Sequence, residues 1–388
     1  MALNPLVQCY QKVFGRRSKD MMDAIKIFFV GDVMLARGVD MIQEHHCDPI
    51  LYEANGLDAT DYVKLVEQVN GSIPALTNRT PQYVWGDAIS ILEQEDPDLR
   101  VINLETSVTT NDKPWPRKGI HYRMHPQNVQ VIKAAKIDCC VLSNNHTADW
   151  GMDGLRESLS TLQDAGIPYA GAGNNLKEAE SPAIFDLSGK GRVLLFAIGD
   201  SSSGIPSQWL ASHQSGVNLI NIETSTRVEE VIQVINQHKE NGDIAVVSIH
   251  WGGNWGFDVE PAFKRFAHQL IDNGVDLIHG HSSHHAMGVE VYKNKLIMYG
   301  CGDFINDYEG IGGHDEYRGE LSLMYFASVQ PSTGKLLDLT MFPTMIKKLS
   351  IERAEGNNAE WLRKTMSREC QKLGCDVKMM DGVLKLQF

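Results

Sequence analysis

Short runs of apolar residues, each stopped by glycine or a polar turn, punctuate the chain and alternate with stretches of helical spacing. Ile25-Lys26-Ile27-Phe28-Phe29-Val30 is β-branched and aromatic and ends at Gly31, so it reads as a strand. The same pattern recurs at Arg100–Leu104, Asp138–Ser143, Arg192–Ile198, Ile244–Ile249 and Val275–Ile278. Val289–Tyr292 and Leu296–Tyr299 read as a hairpin pair, Leu321–Val329 as a further strand and Val383–Leu386 as a last one. Periodicity near 3.6 predicts helices over 85–95, 126–136, 153–165, 226–240, 261–273 and 360–373. Gly166 and Gly274 stand where helix C-termini place glycine. Strands alternating with helices imply an α/β fold.

Residues 1–24 read as a surface leader. Residues 25–345 read as one domain, with an insertion over 41–84 that is rich in Gly, Pro and Asn and predicted to hold little regular structure. Residues 346–388 add a helix and a strand packed on the same domain. Asn111–Pro126 is a long loop carrying Arg117, His121, Arg123 and His125. Those side chains suit either an anionic substrate or solvent.

Composition narrows the function classes. A net charge of −13 over 388 residues argues against a nucleic-acid partner, whose phosphates need a basic face. No apolar run approaches the ~20 residues of a membrane-spanning helix, and the first residues show no signal-peptide pattern. Seven scattered cysteines, two of them adjacent within an apolar run, suit a reducing compartment. A cytoplasmic location is therefore expected.

The chemistry concentrates at strand ends. Five apolar runs end on Asp32, Glu105, Asn145/His146, His250 and His281. Neighbouring strands of one sheet end side by side, so residues about 250 positions apart can converge. Carboxylate, amide oxygen and imidazole together form a donor set for a divalent metal such as Mn, Fe or Zn, as one ion or two. Such an ion activates water for hydrolysis. His146, beside Asn145, is placed to protonate a leaving group or else only to orient Asn145. Asp32 has the alternative role of capping a turn. His45, His46 and Cys47 resemble a cluster on paper, but no strand delivers them, and they read as a polar loop.

The ordered motifs Gly31-Asp32-Val33-Met34-Leu35, Asn103-Leu104-Glu105, Asn144-Asn145-His146 with Asp149-Trp150-Gly151, His250-Trp251-Gly252, Gly280-His281-x-x-His284 and Gly302-Asp303-Phe304 resemble the capsule-synthesis CapA family of poly-γ-glutamate synthesis proteins. Ala165-Gly166-Ile167-Pro168 before Gly171-Ala172-Gly173 adds to the likeness, which runs from about Ile25 to Asp307. The resemblance implies a four-layer α/β/β/α sandwich of the calcineurin-like metallophosphoesterase type. It implies Asp32, Glu105, Asn145, His250, His281 and His284 as metal ligands, His146 as the acid, and Arg37 either toward a small-molecule or glutamyl-polymer substrate or as a surface arginine; Arg123 of the long loop is a further candidate for the substrate. The expected activity is metal-dependent hydrolysis of a phosphoester or a glutamyl amide-type bond. The alternative is a non-catalytic binding or assembly subunit for polymer synthesis or export. The chain departs from the pattern at Met34, where metallophosphoesterases carry a histidine, at Asn254, at Asp303, where asparagine is usual, and at His285, which competes with His284.

Overall fold

A computed structural model describes residues 21, 23–53 and 56–388; most of the leader therefore lies outside the described residues. The elements that matter to the site are strands β1 (Ile25–Val33), β2 (Leu99–Leu104), β3 (Cys139–Val141), β4 (Gly191–Asp200), β5 (Ile244–His250), β6 (Leu277–His281), β7 (Lys295–Met298), β8 (Asp303–Ile305), β9 (Leu321–Val329) and β10 (Leu336–Lys347). The principal helices are α1 (Ala59–Asn70), α2 (Gly151–Asp164), α3 (Val228–His238), α4 (Pro261–Asp272) and α5 (Gly356–Gln371).

Two large sheets form. In the first, β10, β9, β1, β2 and β3 are neighbours in that order, and β8 pairs with the end of β1. The β1–β2–β3 part is parallel, while β9 runs antiparallel to β1. In the second, β4, β5, β6 and β7 lie side by side and parallel. Parallel strands thus carry all their carboxyl ends to one edge of each sheet.

Side-chain alternation along these strands divides the core. Ile25, Ile27 and Phe29 of β1 join Val193 and Leu195 of β4, Ile244 and Val246 of β5 and Leu277 of β6 in a middle cluster between the sheets. The intervening Phe28 and Val30 face a second cluster with Ile91, Leu155, Leu159 and Val66 from helices. Leu194, Ala245, Val247 and Ile278 face a third cluster with α3 and α4. Buried on both faces, each strand is a near-continuous apolar run. The fold is mixed α/β, as the alternating strands and helices imply.

The segment 41–84 departs from its expected irregularity. It contains the 12-residue helix α1, started by Asp58, whose carboxylate accepts from the amides of Thr60 and Asp61 while Asp61 reaches back to the Asp58 amide. Ala59, Tyr62 and Val66 form its buried face. β10 was also not expected, because Asp338, Thr340, Pro343 and Thr344 interrupt its apolar pattern. The C-terminal helix α5 inserts Leu362, Met366 and Cys370 into the middle cluster.

Candidate metal centre

The alternation that buries Ile244 and Val246 between the sheets continues along β5 to Ser248 and His250. In β6 it continues from Leu277 to His279 and His281. Four polar side chains therefore face the first sheet at the carboxyl ends of adjacent strands, with His250 paired to His281 in register. Gly280, between the two histidines, permits close approach: a Cβ there would lie 2.4 Å from the Tyr299 carbonyl oxygen.

Asp32 comes from the opposite sheet. At the end of β1 the register with β2 shifts between Phe29 and Asp32, and Asp32 is then paired with Asn103 on one side and Asp303 on the other. A Cβ on Gly31 would lie 1.6 Å from the Gly302 carbonyl oxygen, so only glycine lets this bend close. The Asp32 amide bonds that same carbonyl at 2.9 Å.

One ligand atom from each of Asp32, His250 and His281 lies within 4.8 Å of the others, and all three residues are buried. His250 Nδ1 and His281 Nδ1 are 2.7 Å apart, and His281 Nδ1 is 3.9 Å from Asp32 Oδ1. The tautomer of His281 follows from its partners. The Val30 carbonyl only accepts, so His279 Nε2 donates to it across the sheets at 2.7 Å. His279 is neutral, because burial pulls it down to about 4. Its Nδ1 therefore accepts from Ser248 Oγ at 2.9 Å. That leaves Ser248 Oγ to accept from His281 Nε2–H, also at 2.9 Å. His281 Nδ1 is thus a bare lone pair aimed at His250 and Asp32, held by a chain of partners behind the centre.

The carboxylates are oriented in the same way. Asn103 Nδ2 donates to Asp32 Oδ1 at 2.7 Å and to Glu105 Oε2 at 3.1 Å. Asn144 Nδ2 fixes Asn103 in turn, bonding its Oδ1 at 2.9 Å. Burial pushes Asp32 up to about 6, and Asp303's charge adds to it. Glu105 is also raised, first by burial and then by Asp32's charge. Burial holds His250 and His281 well below the usual histidine range, hence neutral.

These residues fit a divalent cation. Asp32 Oδ2 and Asn145 Oδ1 are buried with no hydrogen-bond partner, an arrangement that costs free energy unless something electropositive faces them. Two neutral imidazoles and oxygen donors match the borderline metals.

His146 stands beside the centre, its Nε2 3.9 Å from Glu105 Oε1. Its Nδ1 is 2.6 Å from Asp149 Oδ2. A carboxylate accepts, so Nδ1 carries the proton and Nε2 faces the site. Lys118 Nζ lies 2.7 Å from Asp149 Oδ1 and 3.2 Å from His146 Nδ1, and the Tyr122 ring stacks on the imidazole with centroids 3.9 Å apart. Burial, then the Lys118 charge, pulls His146 down to about 4.

The other expected residues are placed differently. His284 is outside the three-residue cluster; its Nδ1 is 2.9 Å from Asp303 Oδ1. Burial opposes its charge, yet Asp303 raises it to about 9. His285 turns away to stack on Tyr317, centroids 4.6 Å apart. Arg37 is buried; its Nε is 3.2 Å from Asp307 Oδ2, its Nη2 bonds Asp307 Oδ1, and its Nη1 is 3.0 Å from Glu53 Oε1. Arg123 spends its donors on the Asn111 and Asp48 carbonyls and lies 3.8 Å over the Trp150 ring. Met34 Sδ accepts from the Ala36 amide at 3.2 Å. His45 and His46 are exposed and join no ligand group. Ser248, Asn103 and Lys118 carry roles that the sequence reading did not assign. Ser248 and Asn103 were foreseeable, by counting two back along the strand from His250 and Glu105.

Comparisons with known proteins identify the family. The family described as "Bacterial capsule synthesis protein PGA_cap" matches residues 26–308. The chain is 42% identical over 357 residues to a Mycobacterium tuberculosis protein named "Probable polyglutamine synthesis accessory protein", covering 92% of this chain and 93% of that one. It is 24% identical over 286 residues to the "PGA biosynthesis protein CapA" of Bacillus subtilis, covering 74% and 64%. It is 26% identical over 208 residues to the "Capsule biosynthesis protein CapA" of Bacillus anthracis, covering 53% and 49%. With strand-end motifs, fold and matched span in agreement, the chain belongs to the bacterial capsule synthesis protein PGA_cap family.

Proposed function

We propose that this protein is a metal-dependent hydrolase of the capsule and poly-glutamate synthesis family, acting on a phosphoester or a glutamyl amide-type bond. The observation that carries the proposal is the convergence of the buried Asp32, His250 and His281, together with an Asp32 Oδ2 that has no hydrogen-bond partner. Asp32, His250 and His281 would hold the ion, with Glu105, which shares the Asn103 amide with Asp32, placed to contribute. When bound, a divalent cation there supplies Lewis acidity and lowers the pKa of water. Asn103 holds both carboxylates in place. Asp149 fixes the His146 tautomer so that Nε2 exchanges a proton with the reacting group. His284 and Asp303 border the entrance. All six described cysteines are free, and no helix among the described residues is long and apolar enough to cross a membrane. Both facts support work in a reducing, aqueous compartment.

The test is hydrolysis of bis(p-nitrophenyl) phosphate and p-nitrophenyl phosphate with Mn, Fe or Zn supplied, comparing wild type with His281→Ala. Turnover that needs metal and disappears in the variant supports the proposal. Inertness of wild type with every ion contradicts it.

A second reading is a non-catalytic assembly subunit for polymer synthesis. Two placements favour it: Met34 occupies the position of a usual ligand, and His284 is engaged by Asp303. Retention of γ-linked polyglutamate by the protein, with no turnover of any ester, would support this reading.

A further inference from the structure

A cavity of about 760 Å³ opens beside the centre, bordered by His284, Asp303 and Tyr122. Asp303 is the register partner of Asp32, and Tyr122 stacks on His146, so the cavity is where the rest of a bound molecule would extend. Its walls are not those of a polyanion site. The arginines in the wall are Arg37 and Arg318, and both are already neutralised. Arg37 is held by Asp307 and Glu53. Arg318 Nε bonds Glu320 Oε1 at 2.6 Å and its Nη2 bonds Asn358 Oδ1 at 2.9 Å. Glu53, Asp303, Glu309, Asp315 and Glu320 also line the cavity, five carboxylates against Arg37, Arg318 and His284, and each of these three already has a carboxylate partner.

The remaining wall is apolar and aromatic. Val69, Ile120 and Ile311 all face this cavity while 61%, 42% and 50% exposed, and Trp255 and Tyr62 stand with them. Solvent-facing apolar side chains gathered in one concave site mark a place for apolar ligand surface. A γ-glutamyl chain brings one negative charge per residue and would meet repulsion without a counter-charge. We infer that the cavity takes an uncharged, partly aromatic substituent of a small molecule whose single anionic group is directed at the metal centre, not a run of a glutamate polymer. The inference names the substrate class of the proposed hydrolase and rests on that reading for the anionic end only.

The test separates the two ends. Binding of uncharged N-phenyl-1-naphthylamine to the full chain is followed by fluorescence, for wild type, Ile311→Glu and Ile120→Glu. Both substitutions are at exposed positions, and urea midpoints check that the fold is kept. The expected result is saturable binding at one site, weakened about tenfold or more in each variant and not displaced by γ-linked triglutamate. Absence of saturable binding, indifference to both substitutions, or displacement by triglutamate overturns the inference. Phenylphosphonate and methylphosphonate, titrated into manganese-loaded protein, test the other end. A phenyl gain that vanishes in Ile311→Glu supports the link between cavity and centre. If neither phosphonate binds while the dye does, the metal-directed reading fails and the cavity assignment stands.

Discussion

His250 Nδ1 and His281 Nδ1 lie 2.7 Å apart on adjacent, in-register strands, two ring nitrogens pressed together in a buried site. At that separation one hydrogen atom or one cation must lie between or beside them, since two lone pairs would repel. The chain from the Val30 carbonyl through His279 and Ser248 leaves the His281 nitrogen without hydrogen. The pair is therefore arranged to share an electrophile, and the first sheet supplies Asp32 as the counter-charge.

Ser248→Ala breaks that chain at its centre. It leaves His279 Nδ1 and His281 Nε2 without their partner, at a cost of about 1–3 kcal/mol of stability. Metal affinity is expected to fall about 10–100-fold because the His281 tautomer is no longer fixed. Urea unfolding and competitive metal titration measure the two effects; unchanged metal affinity would show that the chain does not orient the ligand.

Asp149→Asn retains the shape beside His146 but replaces the carboxylate that fixes its tautomer, and that Lys118 also engages, with a neutral amide. The expected outcome is a fall of about 10²-fold or more in kcat with metal content retained. Equal activity in the variant would remove His146 from the chemistry. Lys118→Met should disturb the same pair less, because the carboxylate remains.

Metal affinity should depend on pH through the carboxylates. Asp32 and Glu105 are raised in the folded protein, so a proton must leave before the cation binds, whereas His250 and His281 are already neutral. Affinity is expected to rise with pH through about 6, where Asp32 loses its proton. The sign for the metal-free protein is opposite. A carboxyl group whose folded pKa is raised binds its proton more tightly in the native state, so stability falls as pH climbs through the interval from the ordinary value to about 6. Titrations of metal binding and urea midpoints across this range check both signs; affinity flat from pH 5 to 7 would contradict the first.

Gly31→Ala tests the bend that delivers Asp32. Its Cβ would sit inside the Gly302 carbonyl contact, so β1 and the chain before β8 must separate. Destabilisation of several kcal/mol, on the order of 3 or more, is expected in urea, with loss of metal binding.

Much of this was legible in the residues. The apolar runs Ile25–Val30 and Ile244–Ile249 are long enough, and uniform enough, to declare strands buried on both faces. Strand ends then point to Asp32, His250 and His281. Helix α1 was not legible by its turn-rich surroundings, although Asp58 and Asp61 have the spacing of a reciprocal cap. β10 was hidden because its polar residues are satisfied by cross-strand partners such as Ser322 Oγ with Thr344 Oγ1 at 2.8 Å, which no linear pattern displays. Arg37 illustrates the same limit: its commitment to Asp307 spans 270 positions. Lys118 sits in a loop whose basic residues look interchangeable until the fold sets one of them against Asp149.

The most direct measurement is the metal content of the purified protein by plasma mass spectrometry, after equilibration with Mn, Fe or Zn and removal of excess. The wild type should retain about one equivalent, consistent with three converging ligand residues, and His250→Ala/His281→Ala should retain almost none. Retention of no ion by the wild type, or of the same amount by the double variant, would contradict the metal centre and with it the proposed hydrolase.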